Sequence, residues 1–278
     1  MTAIPGLSQV LAEFGLAGKA YPMEGGTARV FRCGDLVFKR IHNTSLENQR
    51  SLELIDWIAG FSSALPQAGF RIPLAHPTRQ GTWRTIDNWT AWSYLEGRHA
   101  VPADIPQIIP AAQAYHRALA SLPAHPAMQE NPTPWGLADR VCWGEKPSFI
   151  QPRLRPLVDA LYALRIPLPP FQSQLIHADL NPENILLAPG KPPAFLDLSP
   201  FWGSPAFALA IFANFIGPRQ GDAGCLSYFK AIPHFTQLLV RAGIRMLLVM
   251  VAIDSLDDWE TCSEKRAAEL IVDYARSG

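Results

Sequence analysis

Between Gln174 and Asp197 the chain reads QLIHADLNPENILLAPGKPPAFLD. Two short apolar runs, Gln174-Leu175-Ile176 and Ile185-Leu186-Leu187, bracket a polar turn, and a third, Ala194-Phe195-Leu196, ends on a carboxylate, Asp197. Apolar runs this short, bounded by Pro, Gly and Asn, read as buried strands. Any fold of the chain has to bury the three runs together. The polar residues between them are then held on a rigid loop, where binding and catalytic groups concentrate.

The spacing carries chemistry. His177-x-Asp179-x-x-x-x-Asn184 is followed thirteen residues later by Asp197. This is the pattern of a phosphoryl-transfer loop, in which an Asp takes the proton of the attacking hydroxyl while an Asn and a later Asp hold magnesium. Such a reaction asks the protein for positioning and charge neutralisation, so one carboxylate faces the nucleophile. Hard oxygen ligands face the metal, which completes its shell with phosphates. Asn, Asp and Pro are also ordinary turn formers. Four polar positions in one strand context favour the catalytic reading.

On these residues the chain resembles the aminoglycoside phosphotransferase and choline kinase group of small-molecule kinases. That group carries His-[Gly/Ala]-Asp-Leu-x-x-x-Asn followed by a strand ending in Asp, and His177-Ala178-Asp179-Leu180-Asn181-Pro182-Glu183-Asn184 fits each position. The resemblance implies an α+β, protein-kinase-like fold of two lobes, with a small antiparallel-sheet N-lobe and a mainly helical C-lobe. The expected boundaries are a nucleotide-binding lobe at 1–96 and a lobe with the catalytic loop and acceptor pocket at 97–278. It implies ATP (or GTP) and Mg2+ as cofactors. It also makes Asp179 the base and His177 a brace of the loop, although a histidine of ordinary pKa could itself serve as a base.

Composition narrows the partners. Apolar residues make up 48% of the 278-residue chain and charged residues 17%, which is a globular balance with a substantial core. A net charge of zero argues against a nucleic-acid or membrane-surface partner. The four cysteines, Cys33, Cys142, Cys225 and Cys262, stand far apart with no C-x-x-C pair, as expected of free thiols in a reducing cytoplasm. The N-terminal stretch has Glu13 inside it and no basic leader, so it does not read as a signal peptide. The longest apolar run, Met246 to Ile253, is too short to span a membrane.

In the first lobe, Ser8 to Leu16 reads as a short helix. Two β-rich runs, ending at Cys33 and starting at Leu36, meet at Gly34-Asp35 as a hairpin. Gly25-Gly26-Thr27, one strand before a lysine, is either a plain turn or a loop whose N–H groups approach phosphates. Lys39 follows in Val37-Phe38-Lys39, the place of the strand lysine that pairs with nucleotide phosphates and with a helix glutamate. The next helix, Ser45 to Phe61, offers Glu47, Glu53 and Asp56 as that acid. Glu53 is favoured by its separation from the lysine in the resembling family, and Asp56 is the alternative. Thr82 to Ile86 and Trp89 to Leu95 read as a strand pair joined by Asp87-Asn88. Ser93, Tyr94 and Leu95 then occupy the family's adenine-binding hinge.

The second lobe is expected to hold helices at about 104–122, 152–164, 205–216, 222–231, 234–252 and 261–276. The prolines clustered at 122–134 and 147–170 read as connections. His116 is expected to be packed or solvated. After Asp197 the chain departs from the family, because Ser204 and Ala208 stand where two acids are usual. Asp254, Asp257, Asp258 and Glu260 form a dense acidic group with Trp259, either a capped connection or a site for a cationic acceptor. The function expected is transfer of the ATP γ-phosphate to a hydroxyl of a small molecule. The alternative is a kinase-like protein that binds nucleotide or metabolite without catalysis. No Asp-Phe-Gly or Ala-Pro-Glu element points to a protein kinase.

Overall fold

The structure, a computed structural model, describes residues 7–23, 30–41, 46–128, 131, 133–146, 150–252 and 259–277. The chain opens with α1 (Leu7–Glu13), then β1 (Tyr21–Pro22), β2 (Val30–Cys33), β3 (Leu36–Arg40), α2 (Leu46–Ser62), β4 (Ala75–His76) and β5 (Trp89–Ser93). The five strands form one antiparallel sheet in the order β1-β2-β3-β5-β4. Gly34 adopts φ 57° at the β2–β3 turn, the left-handed conformation that a tight hairpin requires and glycine supplies at no steric cost. Leu7, Val10, Leu11 and Phe14 of the α1 segment bury against Phe31, Phe38 and Ala91, giving the sheet its own small core.

The expected strand at 82–86 is not formed. β5 has β3 and β4 as its neighbours, and the Thr82–Ile86 segment meets only its first residues, through an Arg84–Thr90 bridge and a Thr85 N–H bond to the Trp89 carbonyl at 2.9 Å. The N–H groups of Asn88 and Trp89 turn instead to Thr85, bonding its carbonyl and its hydroxyl. With Asn88 at φ 62°, the turn folds on itself rather than extending a ladder.

Then follow β6 (Arg98–His99), α3 (Ile105–Leu119), α4 (Pro134–Trp143), α5 (Arg155–Ala163), β7 (Gln174–His177), β8 (Ile185–Leu187), β9 (Ala194–Phe195), β10 (Pro200–Gly203), α6 (Pro205–Ile216), α7 (Phe235–Ala252) and α8 (Ser263–Ser277). Two small sheets carry the loop that the sequence singles out, β6-β8-β9 and β10-β7. The helices wrap one large core to which α6 contributes every residue from Phe207 to Ile216 except Asn214, which is buried but polar. The small antiparallel sheet and mainly helical remainder are the architecture that the sequence implies.

The helices at 205–216, 234–252 and 261–276 stand close to where the sequence puts them, while the one expected at 222–231 is a 3-10 turn, Gly224–Phe229. α4 was not expected. Its start is nonetheless written in the chain, since Thr133 accepts the Gly136 N–H at 3.2 Å and Pro134 occupies the first turn. Among the described residues no helix is long and apolar enough to cross a membrane.

A segment rich in specific contacts joins the first sheet to the helices. Gly97 has φ 150°, and a Cβ there would lie 2.9 Å from both Leu186 Cβ and the Leu187 carbonyl oxygen, so only glycine lets the chain pass β8 this closely. Arg98 forks onto Asp104 at 2.6 and 2.8 Å, and the same carboxylate accepts the Val101 N–H at 2.9 Å. Arg71 pairs by its main chain with the β9 strand and donates its Nε to Pro192 O at 2.8 Å.

Candidate active site

The hydrogen bonds of the 177–199 loop hold a few polar groups in place. β7 runs into it with Leu175, Ile176 and His177 fully buried, and β10 pairs with it from Pro200↔His177 to Gly203↔Gln174. The imidazole of His177 is the hub. Its Nδ1 accepts the N–H of Asp179 at 3.2 Å and of Ser199 at 3.4 Å, so its proton sits on Nε2, which donates to the Leu196 carbonyl at 2.8 Å. Both nitrogens are thereby engaged with main chain on either side of the loop, and burial pushes the pKa of the ring down. A neutral, saturated ring braces Asp179 and the Leu196–Ser199 strand crossing; it has no nitrogen to offer a substrate.

His116 of α3 supports the same point. It is 1% exposed, and its Nε2 accepts the His177 N–H at 3.3 Å. Burial, with the neighbouring His177, takes its pKa down to about 3, so it packs as a neutral acceptor.

Asp179 is half-buried and each of its carboxylate oxygens accepts one amide. Asn181 Nδ2 donates to Oδ1 at 3.0 Å and Asn184 Nδ2 donates to Oδ2 at 3.0 Å. Asn184 also donates to the Asp179 carbonyl at 2.9 Å, which commits its nitrogen and leaves its Oδ1 as the acceptor end. The 3-10 turn Pro182–Asn184 that carries it starts at Asn181, whose Oδ1 accepts the N–H groups of Glu183 and Asn184. Downstream, the Leu196 N–H donates to the Asn184 carbonyl at 2.8 Å, which brings Asp197 to the same end of the β8–β9 pair. Asp197 has φ 51°, an uncommon backbone for a non-glycine residue, and its carboxylate turns to the first lobe, where the Lys39 ammonium meets it.

Lys39 lies on β3 beside the 177–199 loop, and the carboxylate of Asp197 meets its ammonium. Glu53, the expected partner, is exposed on α2. The reason is the register of α2. Leu52 and Ala59, seven residues apart and so on one side of the helix, are buried, and a residue one place further on is turned about 100° away. Asp56, the alternative, is held by Arg84 at 3.0 Å. Gly25, Gly26 and Thr27 lie outside the described residues, as do Asp254, Asp257 and Asp258; Glu260 is exposed and pairs with Lys265 at 3.3 Å.

Of the expected hinge, Ser93 and Tyr94 have their N–H groups committed within the lobe, to Leu74 O at 2.8 Å and Asp35 O at 2.7 Å. The Ser93 hydroxyl accepts the Leu74 N–H at 2.8 Å. The Tyr94 ring is covered by Arg32, whose guanidinium carbon lies 3.4 Å from its centroid. Leu95 follows with its N–H unbonded among the described residues. Two residues of the site region, Asn181 in the loop motif and Gly97 at the end of the hinge stretch, have no role of their own in the sequence reading. The Asn-Pro step at 181–182 is a signal that finds the first of them, because Pro favours the first position of a helical turn and Asn its cap.

The donor set suits magnesium. Asn184 Oδ1 and the Asp197 carboxylate are hard oxygens at adjacent strand ends. Among the described residues no group of three or more His, Cys, Asp or Glu stands ready to hold a metal alone. A magnesium ion bound by one or two side chains and completed by phosphates needs no more than this pair.

Comparison with known proteins agrees with the fold. A model of the phosphotransferase enzyme family matches residues 23–242, which is about four fifths of the 278-residue chain. A search of the curated proteins finds no match. Among solved structures the chain is similar to a thermostable mutant of aminoglycoside phosphotransferase APH(4)-Ia in complex with AMP-PNP and hygromycin B, at TM-score 0.62 and 15% identity, covering 99% of each chain. It is similar to amicoumacin kinase hAmiN in complex with AMP-PNP, Ca2+ and Ami, at TM-score 0.60 and 13% identity over 92% of this chain and 88% of that one. A choline/ethanolamine kinase family protein from Mesorhizobium loti matches at TM-score 0.54 and 17% identity, over 99% and 96% of the two chains. At these identities the solved structures show the fold; the family model, spanning both the Lys39 strand and the Asp179 loop, shows that the chain belongs to the phosphotransferase enzyme family.

Proposed function

We propose that the chain transfers the terminal phosphoryl group of ATP, or of GTP, to a hydroxyl group of a small molecule. The observation that carries the reading is the Asp179 carboxylate. Two amides fix it, and the loop that holds it also holds Asn184 and delivers Asp197 to Lys39. In this reading residues 1–96 form the nucleotide-binding lobe and 97–278 carry the catalytic loop and acceptor pocket.

Each residue then has a task. Asp179 accepts the proton of the attacking hydroxyl and aims its oxygen, since each carboxylate oxygen keeps a lone pair beyond its amide contact. Lys39 binds phosphate oxygens, with Asp197 as an acid that holds its ammonium. Asn184 and Asp197 would hold magnesium, which when bound neutralises charge on the phosphate oxygens. His177 acts only through the main chain it braces. The adenine contact falls to the main chain of Leu95, because the N–H groups of Ser93 and Tyr94 are already bonded. Amicoumacin kinase, of similar fold, holds AMP-PNP and Ca2+.

The acceptor is a small hydroxylated molecule, and nothing in the fold restricts its class, since one scaffold serves many acceptor pockets. Ser204 and Ala208, the departures beyond Asp197, sit at the cap and in the buried face of α6 and displace none of the four groups above. The test is a screen of aminoglycosides, sugars, choline-like amines and amino alcohols for acceptor-dependent consumption of magnesium–ATP. A phosphorylated product from any of them supports the reading. Absence of turnover over water alone, with and without magnesium, across all these classes contradicts it.

A further inference from the structure

Asn181 is not one of the named positions of the His-x-Asp…Asn pattern, yet it touches two of them, Asp179 and Asn184. Four of its groups are used, among them its carbonyl, which accepts the Asn184 N–H at 3.1 Å. Its main-chain N–H donates to the Asp179 carbonyl at 3.0 Å. Its Oδ1 accepts from Glu183 N at 2.9 Å and from Asn184 N at 3.1 Å. Its Nδ2 donates to Asp179 Oδ1 at 3.0 Å. The orientation of the carboxamide is not arbitrary. Turned over, its NH2 would face two N–H donors and its oxygen would face a carboxylate, so every contact would be repulsive.

The two ends of one short, planar group therefore meet the two parts of the proposed machinery. The nitrogen end sets the rotation of the Asp179 carboxylate, with Asn184 Nδ2 fixing the opposite oxygen. The oxygen end begins the turn that carries Asn184. Asn181 itself is held extended, at φ −114° and ψ 164°, by the proline that follows it. We infer that Asn181 is a positioning residue for phosphoryl transfer, fixing the proton-accepting carboxylate of Asp179 in register with the metal-holding amide of Asn184. This inference rests on the function proposed above. A carboxylate left free to rotate would lose the near-attack geometry that an oriented base supplies.

Two substitutions separate positioning from simple capping. Ser and Asp cap a helical turn about as well as Asn, so Asn181→Ser and Asn181→Asp both keep the oxygen end. Ser is too short to reach Asp179, and Asp replaces the donor by a repelling acceptor. Phosphate release from magnesium–ATP, with water as acceptor, is measured for the full-length protein alongside the thermal midpoint. Positioning predicts that kcat falls about 10-fold in Asn181→Ser and about 100-fold in Asn181→Asp, while KM for the nucleotide stays within about twofold. The thermal midpoints should stay close to that of the unsubstituted protein. If Asn181 only caps the turn, both variants keep the full kcat, and that result overturns the inference. Equal losses in the two variants together with lowered midpoints also overturn it, since they report damage to the loop. An unsubstituted protein that releases no phosphate is a different failure, because it removes the proposed function and the inference with it.

Discussion

The ammonium of Lys39 and the carboxylate of Asp197 form an ion pair between groups 158 residues apart in the chain, one on the third strand of the first sheet and one just past β9. Both side chains are partly open to solvent, at 31% and 52%, so the pair adds little to stability. Its value lies in where it puts two charges. Lys39→Met should leave folding intact and weaken binding of AMP-PNP about tenfold or more, as loss of a charge-assisted contact to phosphate does. Asp197→Asn should instead abolish the dependence of that binding on magnesium. Calorimetric titration with and without the metal checks both, and unchanged affinity in either variant removes that residue from the nucleotide site.

A second ion pair is structural. Arg245 of α7 donates its Nε to Asp139 of α4 at 2.5 Å, with side-chain exposures of 3% and 11%. Removing one partner leaves a buried charge unmatched, so Asp139→Ala should cost about 3–5 kcal/mol in denaturant unfolding. The double substitution Asp139→Leu, Arg245→Met should cost much less, because no charge is left behind.

Two buried neutral histidines make stability depend on pH. His116, with an ordinary value of 6.5, is taken down to about 3 by burial, and His177 is lowered by the same cause. The unfolded chain binds their protons near 6.5 and the folded one does not. Their contribution is therefore complete above that pH and is lost as pH falls toward the folded value. Unfolding free energy should drop by about 1.4 kcal/mol per pH unit for each ring below about pH 6. In His116→Gln, whose carbonyl can still accept the His177 N–H, about half of that slope should disappear.

Gly97 is a point of close approach, and its effect should be felt at both lobes. Gly97→Ala places a methyl group 2.9 Å from Leu186 Cβ in a backbone conformation that L residues rarely adopt. A loss of about 1–3 kcal/mol in stability is expected, accompanied by a raised KM for nucleotide, since the residue directly follows the Ser93–Glu96 segment. Thermal unfolding and initial-rate kinetics on the same sample check the pairing of the two effects.

Much of this molecule is legible in its sequence because the informative contacts are local. The 174–197 stretch fixes Asp179, Asn184 and Asp197 relative to one another through short strands and an Asn-Pro turn, all within a few residues. The Gly34-Asp35 hairpin and the apolar α6 and α7 are equally local. What was not legible depends on partners far away in the chain. The meeting of Lys39 with Asp197 joins groups 158 residues apart, and which residues of α2 are exposed depends on how the helix is rotated about its axis, which its mixed pattern of Leu52, Leu54, Ile55 and Ile58 leaves undetermined. The neighbours of β5 were missed because β3 and β4 outcompete the adjacent 82–86 segment. α4 was hidden by prolines read as breaks, when one of them, Pro134, starts a helix.

Asp179 is where the account is most exposed. Asp179→Ala should lower the rate of phosphoryl transfer from magnesium–ATP by at least about 100-fold, the range that removal of an oriented base produces. Its affinity for AMP-PNP should stay within about threefold of the unsubstituted protein, because in this reading the carboxylate faces the attacking hydroxyl rather than the phosphates. Transfer at an undiminished rate in that variant would contradict the central claim.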